Sequence, residues 1–149
     1  MIDPRSQKVI DSLLPKVQPV FSKCLDALQK HFQEQGVTCK YISGTRTWAE
    51  QDALYSIGRT KPGPPVTKAK GGESNHNFGI AVDVGLFTAD GKYLEDSPLY
   101  SRIGRVVAFF PELEWGGAWK FQDEPHIQFR TGKTLAELRD LHAKGKAIV

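Results

Sequence analysis

The segment Ser74-Asn75-His76-Asn77-Phe78-Gly79-Ile80-Ala81-Val82-Asp83 constrains this chain more than any other. It sets an imidazole and a carboxylate seven residues apart at the mouth of a strand. From Gly79 onward small and bulky residues alternate, which predicts a period-2 strand with Gly79, Ala81 and Asp83 on one face and Ile80, Val82 and Val84 on the other. The bulky face belongs in a core. The small face leaves space in front of Asp83, as a metal with a bound substrate requires and a packed sheet does not. His76 precedes the strand and is free to turn toward the same side, so the pair reads as half a metal site.

The segment from Glu114 to Phe129 supplies the other half. It ends in a short alternating strand in which His126 and Gln128 share one face and Ile127 and Phe129 the other. If this strand pairs with the first, His126 lies beside Asp83. Two imidazoles and one carboxylate then face a common point. Catalytic zinc sites use three such ligands and keep a fourth position for water. His76, Asp83 and His126 are therefore the expected ligands of one Zn2+ per chain. Each residue alone has an ordinary structural explanation, and only the joint pattern points to a site.

The remaining chain punctuates itself. Val17, Val20, Phe21, Cys24, Leu25, Leu28 and Phe32 recur at helical spacing, with polar residues opposite, and predict an amphipathic helix that Pro15 or Pro19 opens and Gly36 ends. A shorter helical segment near Ser6 to Leu14 precedes it. His31, on the same helix, has no ligand partner a turn away and reads as a boundary side chain. Val37 to Ser43 alternates as a strand. Thr47 and Glu50 have capping-box spacing and open a helix that Gly58 closes. Residues 59–75, with three prolines, three glycines and three lysines, predict a long loop. The Asp83 strand runs to about Phe87, turns at Asp90-Gly91, and returns through Lys92-Tyr93-Leu94 as a hairpin. Ser97-Pro98 begins one helix carrying Leu99, Ile103, Val106, Val107 and Phe110, and Pro111 ends it. Trp115-Gly116-Gly117-Ala118-Trp119 reads as a tight aromatic loop walling the site, and Thr134 to Glu137 caps a last helix on which His142 is a solvated side chain. The irregular alternation around antiparallel pairs indicates an α+β fold, a small mainly antiparallel sheet packed on helices.

Length and charge bound the function. At 149 residues a single catalytic domain over 1–149 is expected, with no separate wall-binding module. Lys and Arg exceed Asp and Glu by 20 to 17, a mild excess without the clustering that nucleic-acid binding requires. The sequence contains no apolar run of membrane-spanning length and no Sec-type leader pattern. Cys24 and Cys39 lack metal or redox spacing and read as small core residues.

The motif Ser-x-His-x-x-Gly-x-Ala-x-Asp followed by Asp123-x-x-His126 resembles the LAS zinc metallopeptidases, the group of lysostaphin, the D-Ala-D-Ala peptidases and Sonic hedgehog. Within it the chain is most similar to the L-alanyl-D-glutamate endopeptidases of phage endolysins and cell-wall hydrolases. The resemblance runs from about Leu13 to Leu138, through Ser43-Gly44-Thr45-Arg46, Lys70 to Ser74, and Glu114 to Gly117. It implies amide hydrolysis by a zinc-activated water, with Asp123 as the catalytic carboxylate and Arg46 stabilising the oxyanion. Glu124 is the local competitor but stands one residue out of register. Ser74, Trp115, Trp119 and Gln51 are the expected substrate contacts, and the 59–75 loop is expected to border the groove. Ala118 departs from the acidic or polar residue expected after Trp-Gly-Gly.

The implied partner is the peptidoglycan stem peptide, cut by a monomer that reaches the wall by holin-assisted or other non-Sec export. Three functions remain open: an L-Ala-D-Glu endopeptidase, a D,D-carboxypeptidase or dipeptidase with the same apparatus, and a non-catalytic zinc-bearing binding module.

Overall fold

The computed structural model describes residues 2–149. Five short strands form one antiparallel sheet: β1 (Thr38–Ser43), β2 (Ala81–Phe87), β3 (Tyr93–Leu94), β4 (Leu113–Trp115) and β5 (His126–Phe129). Their order is β1-β2-β5-β4, with β3 also on β2. The helices are α1 (Pro4–Asp11), α2 (Gln18–Gln33), α3 (Trp48–Ser56), α4 (Ile103–Val107) and α5 (Leu135–Ala143). This is the α+β arrangement that the sequence pattern predicts.

One sheet face makes the main core. Cys39, Tyr41, Val82, Val84, Leu86 and Ile127 meet the buried stripe of α2, namely Val20, Phe21, Cys24, Leu25, Leu28 and Phe32. Each large apolar side chain removed from water in this way contributes about 1.5–3 kcal/mol, and Pro19 is accommodated because it stands in the first turn, where its missing N–H costs nothing. Tyr41 is fully buried and donates its hydroxyl to the Phe21 carbonyl at 2.7 Å, so its polar end is satisfied inside the core. Both cysteines are free and buried here. A second cluster of Phe78, Ile80, Leu138 and Ile148 seats α5 below the segment that leads into β2.

Three sequence expectations shift in detail. Gly79 is not a strand residue: it ends a 3-10 turn (Asn75–Phe78) in the left-handed conformation at φ 73°, and β2 begins only at Ala81. Ile80 accordingly packs in the second cluster rather than beside Val82. The single helix expected after Ser97-Pro98 is a 3-10 turn (Pro98–Arg102) followed by the brief α4. Gly104, a poor helix former, lies in α4 against the indole of Trp115. Finally, Trp115 belongs to β4 rather than to the aromatic loop, in a strand of three residues that is too short to show alternation.

Candidate metal centre and catalytic cleft

The opposite sheet face carries the polar set. β2 pairs with β5 in a register that sets Asp83 opposite His126, and with β1 so that Asp83 stands opposite Ser43. A register shift between Tyr41 and Ser43 marks a bulge at the end of β1, where the chain leaves the sheet toward Arg46. His76 arrives from the 3-10 turn, whose start Ser74 and Asn77 fix as a capping box. Asn77 also accepts from the Gly72 amide and donates to the Arg46 carbonyl, while the Arg46 amide donates to the His76 carbonyl at 2.9 Å. The turn and the Arg46 segment are thereby fastened to each other.

One ligand atom from each of His76, Asp83 and His126 falls within 4.8 Å of the others. His76 Nε2 lies 3.4 Å from Asp83 Oδ2, and His126 Nδ1 lies 3.5 Å from Asp83 Oδ1. Tetrahedral coordination with bonds of about 2.05 Å places ligand atoms about 3.3 Å apart, so the spacing suits a zinc-sized ion. The far side of each ring is also fixed. His76 Nδ1 donates to the Gly44 carbonyl at 2.8 Å, and His126 Nε2 pairs with Gln128 Oε1 at 2.8 Å, which leaves Nε2 of one ring and Nδ1 of the other facing the site. Burial alone would raise the Asp83 pKa, but hydrogen bonds to His126 and His76 outweigh it and hold the carboxyl well below its usual range. Burial opposes protonation of His126, yet the Asp83 carboxylate prevails and raises its pKa.

Asp123 sits at the cleft edge with Oδ2 3.9 Å from His126 Nδ1 and its side chain half exposed. Partial burial, helped by the nearby Asp83 charge, raises its pKa. Gly116 makes that position possible: a Cβ there would lie 2.4 Å from the Asp123 carbonyl oxygen and 3.1 Å from His126 Cβ. The Gly116 carbonyl accepts from the Asp123 amide at 3.0 Å, closing the loop that carries the carboxylate. Arg46 reaches Asp83 Oδ2 at 3.3 Å, Ser43 Oγ at 3.1 Å and Gln51 Oε1 at 3.2 Å.

These groups open into a cleft of about 500 Å³. Arg46, Ser74, His76, Asp83, Trp119, Asp123 and His126 line it, and Val66, Thr67, Ala69 and Glu73 bring the 59–75 loop along one side. Glu124 is not among the lining residues, and its carbonyl instead accepts from the Trp115 indole at 2.7 Å.

Two expected substrate contacts lie elsewhere. Gln51 is fully buried behind Arg46, with its carboxamide donating to the Ala69 carbonyl at 2.9 Å. It is therefore placed to hold the guanidinium and the loop, not a ligand. Trp115 turns away from the metal centre because Gly104 and Gly117 leave room for its ring, and it lines a separate cleft near α4. Trp119 alone of the two stands in the site, its ring 5.1 Å from that of His126.

Sequence reasoning passed over Asn75, Tyr93 and Gln128. Asn75 and Tyr93 line the cleft, and Asn75 Nδ2 donates to Gln128 Oε1 at 2.9 Å. The signal for Gln128 was present in strand parity, since it shares the face of His126. Tyr93 lies on the expected hairpin return, but nothing in its pattern marks it as facing the cleft.

Comparison with known proteins agrees with this geometry. A family model described as D-alanyl-D-alanine carboxypeptidase matches residues 67–129, which span His76, Asp83, Asp123 and His126. The chain is 36% identical to the peptidoglycan L-alanyl-D-glutamate endopeptidase CwlK of Bacillus subtilis (strain 168), over 75% of this chain and 72% of that one. Its fold is similar to the Serratia marcescens L-Ala D-Glu endopeptidase ChiX, with a TM-score of 0.60 and 23% identity over 87% of this chain and 89% of that one. It is also similar to a variant of the vancomycin resistance D,D-pentapeptidase VanY in complex with Zn(II), with a TM-score of 0.51 and 17% identity over 85% and 78% of the two chains. By the identity and coverage of its Bacillus relative, joined to the matching family model, the chain belongs to the M15 peptidases of the LAS group.

Proposed function

We propose that this chain is a zinc metallopeptidase that hydrolyses the L-Ala-D-Glu amide of the peptidoglycan stem. The observation that carries the reading is the convergence of His76, Asp83 and His126 in an open cleft, in a chain 36% identical to an endopeptidase named for that bond. Bound zinc supplies a Lewis acid that polarises the scissile carbonyl and lowers the pKa of water toward about 7.

The chain's own groups do the rest. His76 Nε2, His126 Nδ1 and the Asp83 carboxylate hold the ion, with both rings fixed from behind. Asp123 Oδ2, at the open edge of the cleft, takes the proton of the attacking water and returns it to the leaving amine nitrogen. Glu124 is set away from the cleft lining and has no equivalent position. The Arg46 guanidinium, held by Ser43 and Gln51, directs its remaining N–H groups at the oxygen on which negative charge develops. Ser74 and Trp119 contact the stem from opposite segments, and the 59–75 loop guides it along the cleft. An open cleft suits an extended peptide still attached to glycan. No described helix is long and apolar enough to cross a membrane. We take the working unit to be one chain.

A second reading, release of D-Ala from D-Ala-D-Ala ends, is favoured by the description of the matched family model. The metal apparatus serves both reactions, and differences of a few kcal/mol in transition-state binding by flanking residues decide between them. Digestion of a defined disaccharide-pentapeptide with mass-spectrometric readout separates them. Disaccharide-L-Ala with a free peptide beginning at D-Glu is the expected product. Release of D-Ala alone would establish the carboxypeptidase, and zinc binding without turnover would leave only a binding module.

A further inference from the structure

The two imidazoles of the centre are anchored in different ways. The far nitrogen of His76 meets a backbone carbonyl, which no substitution of Gly44 removes. The far nitrogen of His126 meets only the side chain of Gln128, and Gln128 is itself held on two further sides. Its Oε1 accepts both from His126 Nε2 at 2.8 Å and from Asn75 Nδ2 at 2.9 Å, while its Nε2 donates to Glu114 Oε2 at 3.1 Å. Sheet register produces this arrangement, because Gln128 stands opposite Glu114 on β4 and shares the face of His126 on β5.

These contacts fix the chemistry of the network. A flipped amide would set its oxygen against the Glu114 carboxylate, which can only accept, exchanging a hydrogen bond for a repulsive contact. With the amide orientation fixed, Oε1 is an acceptor, so His126 Nε2 must carry the proton and Nδ1 must present its lone pair to the site. Asn75 also precedes His76 in the same 3-10 turn. The Gln128 oxygen therefore joins the segments that carry the two imidazoles.

We propose that Gln128 is the positioning residue of the metal centre: it selects the Nδ1-ligating tautomer of His126 and clasps the His76 turn to β5 through Asn75. Glu114 sets the direction of the clasp. The inference rests on the metallopeptidase reading only for the identity of the ion, and its test does not use peptide hydrolysis.

The zinc-loaded wild-type protein tests it first. Long-range proton–nitrogen correlation spectra should show His126 coordinated through Nδ1, with a slowly exchanging proton on Nε2. Coordination through Nε2 would overturn the proposal without any variant. Gln128→Leu should lose the protected Nε2 proton and weaken zinc binding by about 10- to 100-fold in competition with a chelator. The double variant Glu114→Gln/Gln128→Glu returns an acceptor to His126 and Asn75 and a donor to the acceptor's far side, and should recover both signals. Zinc affinity in Gln128→Leu equal to wild type, or a double variant no better than Gln128→Leu, would refute the clasp while leaving the hydrolase reading untouched. Failure to cleave muropeptides would do the reverse.

Discussion

Gly116→Ala is the sharpest perturbation available at the proposed catalytic carboxylate, Asp123, because it changes neither charge nor any proposed ligand. The added Cβ would stand 2.4 Å from the Asp123 carbonyl oxygen, whereas ordinary van der Waals contact begins near 3.4 Å. The opposing atom is backbone, so it cannot swing aside as the tip of a long side chain would. Asp123 and Gly116 must part by about 1 Å, a misplacement that costs on the order of 100-fold in rate when it displaces a reacting group. That factor corresponds to about 2.7 kcal/mol of transition-state stabilisation. The Gly116–Asp123 hydrogen bond of 3.0 Å stretches at the same time, and overpacking of this kind lowers stability by about 1–3 kcal/mol. The assay compares kcat on a defined muropeptide, zinc content and thermal midpoint. The expected variant is folded and zinc-loaded, melts several degrees lower, and turns over about a hundredfold more slowly. Turnover close to wild type would refute the claim that this glycine sets the carboxylate's position. Loss of zinc would show that the strain passes into His126 instead.

Other consequences follow from the same geometry. Elemental analysis should give about one zinc per chain, with His76→Ala and His126→Ala each losing most of it. Asp123→Ala should keep zinc and fold yet lose activity by about 100-fold or more, whereas Glu124→Ala should do far less; the reverse ranking would transfer the base to Glu124. Burial pushes the Cys24 thiol up to about 12 and raises that of Cys39 as well, so neither should react with a thiol reagent at neutral pH until the protein unfolds. The same shift carries a sign. Above the ordinary thiol range the unfolded chain releases protons that the folded chain retains, so stability falls as pH rises from about 9 toward 12, and Cys24→Ala should make that decline shallower in alkaline denaturation curves.

The parts of the fold legible in the sequence are those whose residues interact locally. The α2 stripe and the capping boxes at Thr47 and Thr134 are written in spacings of three and four residues, and the structure realises each of them. β4 was illegible because three residues carry no period, and its partner Phe129 is distant in sequence. The break between the 3-10 turn and α4 was hidden for a related reason. Gly104 looks like a tolerated interruption until the Trp115 ring, delivered by that unseen strand, is found against it.

The site divides along the same line. Asp83 and His126 were readable because strand parity fixes which face a side chain takes, and antiparallel pairing of two such strands leaves few ways to bring both residues together. Gln51 and Trp115 were misassigned because parity says nothing about residues on a helix or beside glycines. A polar side chain near the proposed catalytic arginine can face the substrate or brace the arginine, and only the full burial of Gln51 and its bond to the loop carbonyl decide that Gln51 braces. The fully buried carboxamide has one partner on Arg46 and one on the Ala69 carbonyl, so Gln51→Leu leaves a guanidinium N–H and a backbone carbonyl unpaired at once. Both partners are only partly buried, so each lost hydrogen bond costs about 0.5–1.5 kcal/mol, and Gln51 is a determinant of stability and of loop position together. A direct substrate contact would instead raise KM with little change in melting temperature. Lowered stability with reduced kcat in Gln51→Leu is the outcome this geometry requires, and a pure KM effect at unchanged stability would return Gln51 to the cleft.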